Sequence, residues 1–328
     1  MYDVVAFGEG LVRLSPAHFQ RLEQAGRVDL HIGGAELNVA VGVSRLGLRT
    51  AWVSKLPDNP LGRMIRNKAR EQGVVTDHIC WSEEGRAGLY FLELGATPRP
   101  TSVTYDRTGS AFCSLKPGEI DWETILGTAK CLHLTGITPA VSTSAAEATF
   151  EALEAARAQS CKVSLDLNYR AKLWDPESAG RTLGAMMPYV DILITTAGDT
   201  RTILGLTAAD DAELAGVLAE RYPCEVVAVT HREGASVWKC RWSGLVRAKG
   251  QTVTSKVYEV DIVDQVGRGD AFAAGFLAGY LPAEDIARGL DVGIAFSALK
   301  HSMPGDINWC DQRDVDALLA GPAPGVSR

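Results

Sequence analysis

The chain has 328 residues, which is long enough for one large α/β domain or two small ones with a sizeable buried core. With 46% hydrophobic and 22% charged residues, the composition excludes a disordered or fibrous protein. The formal net charge of −7 argues against a general nucleic-acid-binding protein, because neutralising phosphates needs a basic surface.

The seven cysteines are scattered along the chain and never form a Cys-x-x-Cys pair. A zinc site or a disulfide framework would need paired spacings, so we expect reduced thiols in a cytoplasmic protein. The N-terminal residues lack the basic segment and apolar run of a signal peptide. The most apolar stretch, residues 271–281, is too short to span a bilayer. We therefore expect neither a membrane nor a nucleic acid as a partner.

Short apolar runs rich in β-branched residues alternate with helical patterns along the chain. The runs predict strands at 3–8, 50–56, 131–136, 161–168, 191–196 and 225–230, and the patterns predict helices within 36–47, 145–159, 177–187 and 212–222. Strands that alternate with helices favour a mainly parallel sheet covered on both faces.

Two regions break this rhythm, residues 11–32 and 86–106, where short alternating strands and turns occur without a crossover helix. They predict either surface hairpins or a small β-sheet that folds over the site as a lid. No linker, repeat or low-complexity segment divides the sequence. We therefore expect one domain over residues 1–328, with the lid built from about 11–32 and 86–112.

The stretch DQVGRGDAFAAGF at 264–276 places two glycines and an aspartate before an apolar helical run. A helix N-terminus offers unpaired N–H groups and the positive end of the helix dipole, which suit a phosphate. Glycines allow an anion to approach the backbone closely. Two other interpretations compete: Asp270 as an ordinary N-cap, and a cell-adhesion tripeptide at 268–270, which an intracellular location argues against.

A second glycine pair, Gly33-Gly34, precedes the helix predicted within 36–47. Residues 31–40 and 264–272 together resemble the two signature motifs of the PfkB (ribokinase-like) carbohydrate kinases, and the resemblance covers essentially the whole chain. It implies a ribokinase-like three-layer α/β domain with a mainly parallel central sheet and a β-sheet lid. It also implies ATP as the phosphoryl donor, Mg²⁺ as the metal, and an alcohol group of a sugar as the acceptor.

The resemblance assigns roles to the residues of the glycine turn. Asp270 would be the general base for the acceptor hydroxyl, and the amides of Gly267, Arg268 and Gly269 would form the anion hole for the γ-phosphoryl group. Oriented amides and a divalent ion supply the charge stabilisation that phosphoryl transfer needs, and a positioned base contributes about 10²–10⁴ in rate. Arg268 stands where the family has Ala. Its side chain either adds charge near the phosphates or points to solvent, and we favour the second alternative.

The acceptor is predicted to be a sugar acid, because GLYFLE, VTYDR, DLNYRAKLW and LKHSMPGD resemble the 2-keto-3-deoxygluconate kinase branch of the family. Arginine binds carboxylates with two parallel hydrogen bonds, and Arg13 is a further candidate for this contact. The expected product is the ester of the terminal (6-) hydroxyl, while 2-keto-3-deoxygalactonate or a neutral sugar such as fructose stays open. By resemblance, the sugar-acid contacts are Gly34, Asn38, Tyr90, Tyr105, Arg107, Arg170 and Asp306.

The nucleotide side departs more from the family. Thr196 and Asp199 stand where relatives show Asn and Glu; Asp199 is the predicted metal ligand, but a capping Thr with a first-turn Asp is an equal alternative. Some relatives bind K⁺ or Na⁺ through the equivalent of Asp264; Gln265 replaces the customary Thr here and leaves that site open. The predicted nucleotide contacts are Asn168, Thr196, Thr230, Arg232, Gly234 and His301.

Two other functions compete. Gly8-Glu9-Gly10 suggests a dinucleotide-binding oxidoreductase, but Arg13 occupies the place of the third glycine and a strand-like run follows instead of a helix. A non-catalytic sugar-acid sensor on the same fold is disfavoured by the intact Asp270. The exposed edge of the lid predicts a homodimer.

Overall fold

The computed structural model describes residues 1–234 and 237–321. Within these ranges the strands are β1 (Tyr2–Phe7), β2 (Leu11–Pro16), β3 (Val28–Gly33), β4 (Thr50–Pro57), β5 (Ile79–Ser82), β6 (Gly88–Glu93), β7 (Ser102–Asp106), β8 (Ala129–Thr135), β9 (Lys162–Asp166), β10 (Ile192–Thr195), β11 (Val226–Glu233), β12 (Lys239–Ala248), β13 (Gln251–Thr254) and β14 (Tyr258–Asp261). The helices are α1 (Ala35–Arg45), α2 (Pro60–Glu71), α3 (Trp122–Leu126), α4 (Thr143–Ala158), α5 (Pro176–Met186), α6 (Ala197–Asp199), α7 (Asp211–Arg221), α8 (Arg268–Tyr280), α9 (Ile286–Lys300) and α10 (Gln312–Ala320).

The larger sheet has the strand order β13-β12-β11-β10-β9-β8-β1-β4-β5, with β14 also paired to β12. From β11 to β5 every neighbouring pair is parallel, and β12 pairs in antiparallel fashion with β11, β13 and β14. The six predicted strands are β1, β4, β8, β9, β10 and β11, and the four predicted helices are α1, α4, α5 and α7. The prediction of a mainly parallel sheet is therefore confirmed.

Helices cover both faces of this sheet, as expected for strands that are buried on both sides. One core cluster packs α4, α5 and α7 on one face, and another packs α1, α8 and α9 on the opposite face. Helices α8 and α9 approach closely through glycines: a Cβ on Gly275 would lie 2.8 Å from the Cα of Gly293. No helix in the described ranges combines the length and apolarity needed to cross a membrane.

The smaller sheet has four strands in the order β3-β2-β6-β7. It is antiparallel except for the parallel pair β2 and β6, whose strands are joined through a long connection. Of the two interpretations of residues 11–32 and 86–106, the structure supports the small sheet over the hairpins. Strand β3 lies at one edge, with Val28 39% and Leu30 48% exposed, and the homodimer through this edge stays a prediction.

Candidate active site

A cavity of about 700 Å³ lies at the carboxyl ends of the parallel strands, between the larger sheet and the smaller one. This is the position at which open α/β sheets bind ligands. Of the sequence-predicted site residues, Gly234, His301 and the further candidate Arg13 lie outside its lining. Those that line the cavity are Gly34, Asn38, Tyr90, Tyr105, Arg107, Asn168, Arg170, Thr196, Asp199, Thr230, Arg232, Gly267, Arg268, Gly269, Asp270 and Asp306.

The glycine turn before α8 faces this cavity. Gly267 is the N-cap of α8 and has a φ of 80°, a left-handed conformation that favours glycine. A Cβ at Gly267 would also clash with the carbonyl oxygen of Asp306, whereas a Cβ at Gly269 would meet nothing within 4 Å. Since the first turn of a helix leaves its amides without intrahelical partners, the N–H groups of residues 267–269 are available to an anion.

Asp270 lies in the first turn of α8 and is 8% exposed. Its Oδ2 accepts a 2.7 Å hydrogen bond from Asn38 Nδ2. Burial raises the pKa of Asp270 to about 6, while Asn38 and Arg170 favour the ionised form. The N-cap interpretation is wrong, because the cap is Gly267 and no side-chain capping bond is formed there. The carboxylate is instead held at the edge of the cavity in a state suited to accept a proton.

The N-terminus of α1 carries Asn38 and is fixed by a buried carboxylate that the sequence analysis missed. Glu36, 1% exposed, accepts hydrogen bonds of 2.7 Å from Thr135 Oγ1 and 2.6 Å from Thr138 Oγ1. Gly34 precedes this turn with a φ of 145°, which places the helix start beside the loop after β1. These contacts orient Asn38 towards Asp270.

Arg107 is 6% exposed and lies on the small-sheet side of the cavity. Its Nε donates to Glu9 Oε2 at 2.8 Å, Nη2 contacts the same oxygen, and its guanidinium carbon is 5.7 Å from the centre of the Tyr105 ring. Glu9 is a second cavity residue that the sequence analysis missed, because Gly8-Glu9-Gly10 has the pattern of a dinucleotide-binding turn. Its other oxygen, Oε1, has no hydrogen-bond partner among the described residues.

Arg13 does not line the cavity, in contrast to its proposed contact with a substrate carboxylate. It is 2% exposed and forms ion pairs with Asp264 Oδ2 at 2.7 Å and Asp306 Oδ2 at 3.1 Å. The hydroxyl of Tyr90 donates to the other oxygen of Asp306. A buried guanidinium needs carboxylate partners to offset its desolvation, and this network supplies them.

The same ion-pair network affects whether a monovalent cation can bind at Asp264. Besides Arg13, the carboxylate of Asp264 accepts hydrogen bonds from the amides of Val266 at 3.0 Å and Gly305 at 3.1 Å. Its charge is therefore already balanced by a cation of the protein. This arrangement does not fit a K⁺ or Na⁺ ion bound through Asp264.

Two carboxylates, Asp166 at the end of β9 and Asp199 in α6, line the cavity beside Arg170. Burial, followed by the charges of Asp199 and Asp270, raises the pKa of Asp166 to about 8. Burial also raises the pKa of Asp199. Asp166 was missed in the sequence because it reads as the buried end of a strand.

These carboxylates fit a divalent cation, because Mg²⁺ is usually held by one or two carboxylates together with substrate phosphates and water. A cation would also relieve the repulsion between Asp166 and Asp199. No group of three metal-ligating residues occurs in the part of the chain that the structure describes.

Thr196 caps α6, its Oγ1 accepting from the amide of Asp199 at 3.1 Å, so the predicted capping alternative is present as well. Asn168 follows Asp166 with a φ of 39° and donates its amide to the Asp166 carboxylate at 3.1 Å.

The other end of the cavity is formed by β11 and β12, which carry Thr230, Arg232 and Trp242. The expectation that the side chain of Arg268 points to solvent is wrong: it is half-buried and lines this end of the cavity. His301 lies behind Trp242, fully buried, with its Nδ1 2.8 Å from the carbonyl oxygen of Ser297. Burial lowers the pKa of His301 to about 4, so it is a neutral core residue rather than a nucleotide contact.

An anion cradle beside a buried carboxylate, placed at the strand ends of a parallel sheet, is the arrangement expected of a small-molecule phosphotransferase. The chain belongs to the pfkB family of carbohydrate kinases, whose family model matches residues 1–313. It is therefore a sugar kinase, and the predicted ribokinase-like fold is confirmed.

Individual relatives are similar over nearly their whole length. The chain is 38% identical to a 2-dehydro-3-deoxygalactonokinase of Haloferax volcanii, covering 99% of each. It is 30% identical to a 2-dehydro-3-deoxygluconokinase of Thermoproteus tenax, covering 93% of this chain and 90% of the relative. The crystal structure of a 2-dehydro-3-deoxygluconokinase from Thermotoga maritima superimposes with a TM-score of 0.94 at 38% identity, covering 98% of this chain and 100% of that one.

Proposed function

We propose that the protein transfers the γ-phosphoryl group of ATP, with Mg²⁺, to the terminal (6-) hydroxyl of 2-keto-3-deoxygluconate. This compound is the 2-dehydro-3-deoxygluconate in the names of two similar proteins. The observation that carries the proposal is the buried guanidinium of Arg107 in the same cavity as the carboxylate of Asp270. The first can bind an anionic sugar, and the second can activate its hydroxyl.

Arg107 suits the carboxylate of a sugar acid because of how its donors are used. Nε and Nη2 are engaged by Glu9, and Nη1 makes no hydrogen bond within the described residues. Glu9 and the ring of Tyr105 hold the guanidinium in place, so little side-chain entropy is lost when an anion binds. The charge of Arg107 is balanced by Glu9, so its contribution to a bound carboxylate is the hydrogen bond that Nη1 can donate.

The proton of the sugar hydroxyl is accepted by Asp270. With a pKa of about 6, this carboxylate is largely ionised at neutral pH and remains close enough to the operating pH to serve as a base. The amides of residues 267–269 stabilise charge on the transferring phosphoryl group. Mg²⁺, when bound near Asp199 and Asp166, supplies neutralisation of the phosphate charge.

The epimer 2-keto-3-deoxygalactonate is the second candidate, favoured by the name of the Haloferax volcanii relative. The two sugar acids differ in the configuration of one hydroxyl, and both offer the carboxylate that Arg107 would bind. We therefore propose a 2-keto-3-deoxy sugar acid as the substrate class and the gluconate epimer as the preferred member.

The test is an ADP-release assay with both epimers, fructose and ribose under identical conditions. The proposal expects kcat/KM to be highest for a 2-keto-3-deoxy sugar acid, with the phosphate located at position 6 by NMR of the product. A preference for fructose or ribose would reject the sugar-acid assignment and leave the family membership intact. A preference for the galactonate epimer would correct the proposal within the same substrate class.

We further propose a cytoplasmic homodimer that associates through the exposed edge of the small sheet. The seven cysteines are free, which suits a reducing compartment. The exposed Val28 and Leu30 on β3 offer an apolar edge for pairing with a second copy. Sedimentation of the wild type beside Leu30→Lys tests the dimer, since a charge at that edge should favour the monomer.

A further inference from the structure

The side chain of Arg268 has no part in the reaction as proposed, because only its backbone amide belongs to the anion hole. The guanidinium is nevertheless held inside the cavity by two contacts. Nη1 donates to Gln265 Oε1 at 3.1 Å, and the guanidinium carbon lies 6.0 Å from the centre of the Trp242 ring. Both Gln265 and Trp242 also line the cavity.

The charge of Arg268 is not neutralised by the protein. No carboxylate among the described residues lies within ion-pair distance of its guanidinium. The charged groups that act on it are Arg232 and Arg170, which have the same sign, and Asp270, which has the opposite sign. Burial and Arg232 lower the pKa of Arg268 to about 10, so the group is still a cation at neutral pH. Arg268 is half-buried whereas Arg232 and Arg170 are exposed. A half-buried cation beside charges of the same sign is stabilised by a bound anion.

The position of Arg268 distinguishes between the two anionic substrates. Its neighbours Arg232 and Trp242 belong to β11 and β12, at the edge of the larger sheet. Arg107, the proposed contact of the sugar acid, lies on the small-sheet side together with Glu9. The proposed anion hole, residues 267–269, lines the same cavity as both groups.

We infer that the guanidinium of Arg268 binds the β- and γ-phosphoryl oxygens of the donor nucleotide. This inference rests on the proposed function and adds a side-chain cation to the anion hole. Gln265 and Trp242 orient the guanidinium before the nucleotide arrives, so that it meets the polyphosphate without a large loss of side-chain freedom. The enzyme should therefore distinguish nucleotides by their number of phosphates more strongly than an alanine at this position would allow.

The test is calorimetric titration of the wild type, R268A and R268Q with a non-hydrolysable ATP analogue, with AMP and with the sugar acid. Loss of one charged hydrogen-bonding partner should weaken binding of the ATP analogue about tenfold or more. The affinities for AMP and for the sugar acid should each change less than twofold. R268K should recover part of the affinity, because it keeps the charge and loses the planar fork.

Arg241→Ala is the matched control, because Arg241 is an exposed arginine on β12 that pairs with Glu233 and does not line the cavity. It removes the same charge and should leave all three affinities unchanged. Circular dichroism and the melting temperature verify that each variant is folded, and R268Q replaces R268A if the latter is not.

The inference is overturned if R268A weakens the binding of AMP as much as that of the ATP analogue. It is also overturned if R268A weakens the binding of the sugar acid instead, or if none of the three affinities changes. The proposed function fails by a different observation, namely preference of the wild type for a neutral sugar in the ADP-release assay. The nucleotide titrations still decide the role of Arg268 in that case, since they contain no sugar.

Discussion

Removing the hydrogen bond between Asn38 and Asp270 should move the acid limb of the pH–rate profile to higher pH. The wild-type carboxylate has a pKa of about 6, and the 2.7 Å bond from Asn38 Nδ2 stabilises its ionised form. A hydrogen bond to a charged group contributes about 1.5–3 kcal/mol, and one pKa unit corresponds to about 1.4 kcal/mol. Asn38→Ala should therefore raise the pKa of Asp270 by about one unit or more.

The acid limb moves to higher pH because the ionised form of Asp270 is the active one. Only the ionised carboxylate accepts a proton, so the rate should fall about tenfold per pH unit below the pKa. In the wild type this loss begins near pH 6, and in Asn38→Ala it should begin near neutral pH. At high pH, where Asp270 is ionised in both enzymes, the difference between their rates should be smaller than at pH 6.

The assay is kcat/KM for the sugar acid at saturating MgATP across the pH range, measured for the wild type and the variant. Titration of ATP itself affects both profiles equally and cancels in the comparison. Asn67→Ala is the matched control, because Asn67 is an exposed residue of α2 that does not line the cavity. An acid limb that stays at the wild-type position in an active Asn38→Ala enzyme would refute this account of how Asp270 is tuned.

Three further outcomes are expected. Asp270→Asn should lower kcat by about 10²–10⁴ while calorimetry still detects sugar-acid binding. Full turnover would reject Asp270 as the base, and complete loss of binding would show that Asp270 is needed to bind the sugar acid as well. Gly267→Ala should destabilise the fold and lower kcat, because its φ is 80° and its Cβ would clash with the carbonyl of Asp306. Gly118→Ala is the control for the conformational part alone, since Gly118 has a φ of 82° and a Cβ there would meet nothing within 4 Å; equal denaturant midpoints and equal kcat for the two variants would contradict the steric argument. The rate should be the same in KCl, NaCl and tetramethylammonium chloride, because the charge of Asp264 is balanced within the protein; several-fold activation by K⁺ would show that a cation does bind there.

The parts of the fold that the sequence predicted correctly are those with a local signal. Strands β1, β8, β9, β10 and β11 are short and apolar because both their faces are covered, and the intervening helices are amphipathic. Strand β12 was not predicted, since its outward residues are polar and its partners are antiparallel. The parallel pairing of β2 with β6 was not predicted either, because it depends on contacts distant in sequence.

The site residues divide in the same way, into those with a local sequence signal and those whose role depends on contacts distant in sequence. Gly267 and Asp270 belong to one contiguous motif, and the structure places both on the cavity. The partners of Arg13 are Asp264 and Asp306, and Asp306 is 293 residues away along the chain. No local pattern distinguishes an arginine that binds a substrate from one that is paired in the core. Only the three-dimensional contacts make that distinction.

Asp166 and Asp270 are two of the buried carboxylates that line the cavity, and their different surroundings decide which of the two suits the role of base. Burial and the charges of neighbouring carboxylates raise the pKa of Asp166 to about 8, so at pH 7 without a bound cation it is mostly protonated. Asp270, which has Asn38 as a hydrogen-bond donor and Arg170 nearby, keeps a pKa of about 6 and is mostly ionised at the same pH. Environments that separate the pKa values of neighbouring carboxyl groups also separate their roles. Under the proposed function, the proton of the sugar hydroxyl would therefore pass to Asp270, whereas Asp166 would release its own proton when a divalent cation approaches.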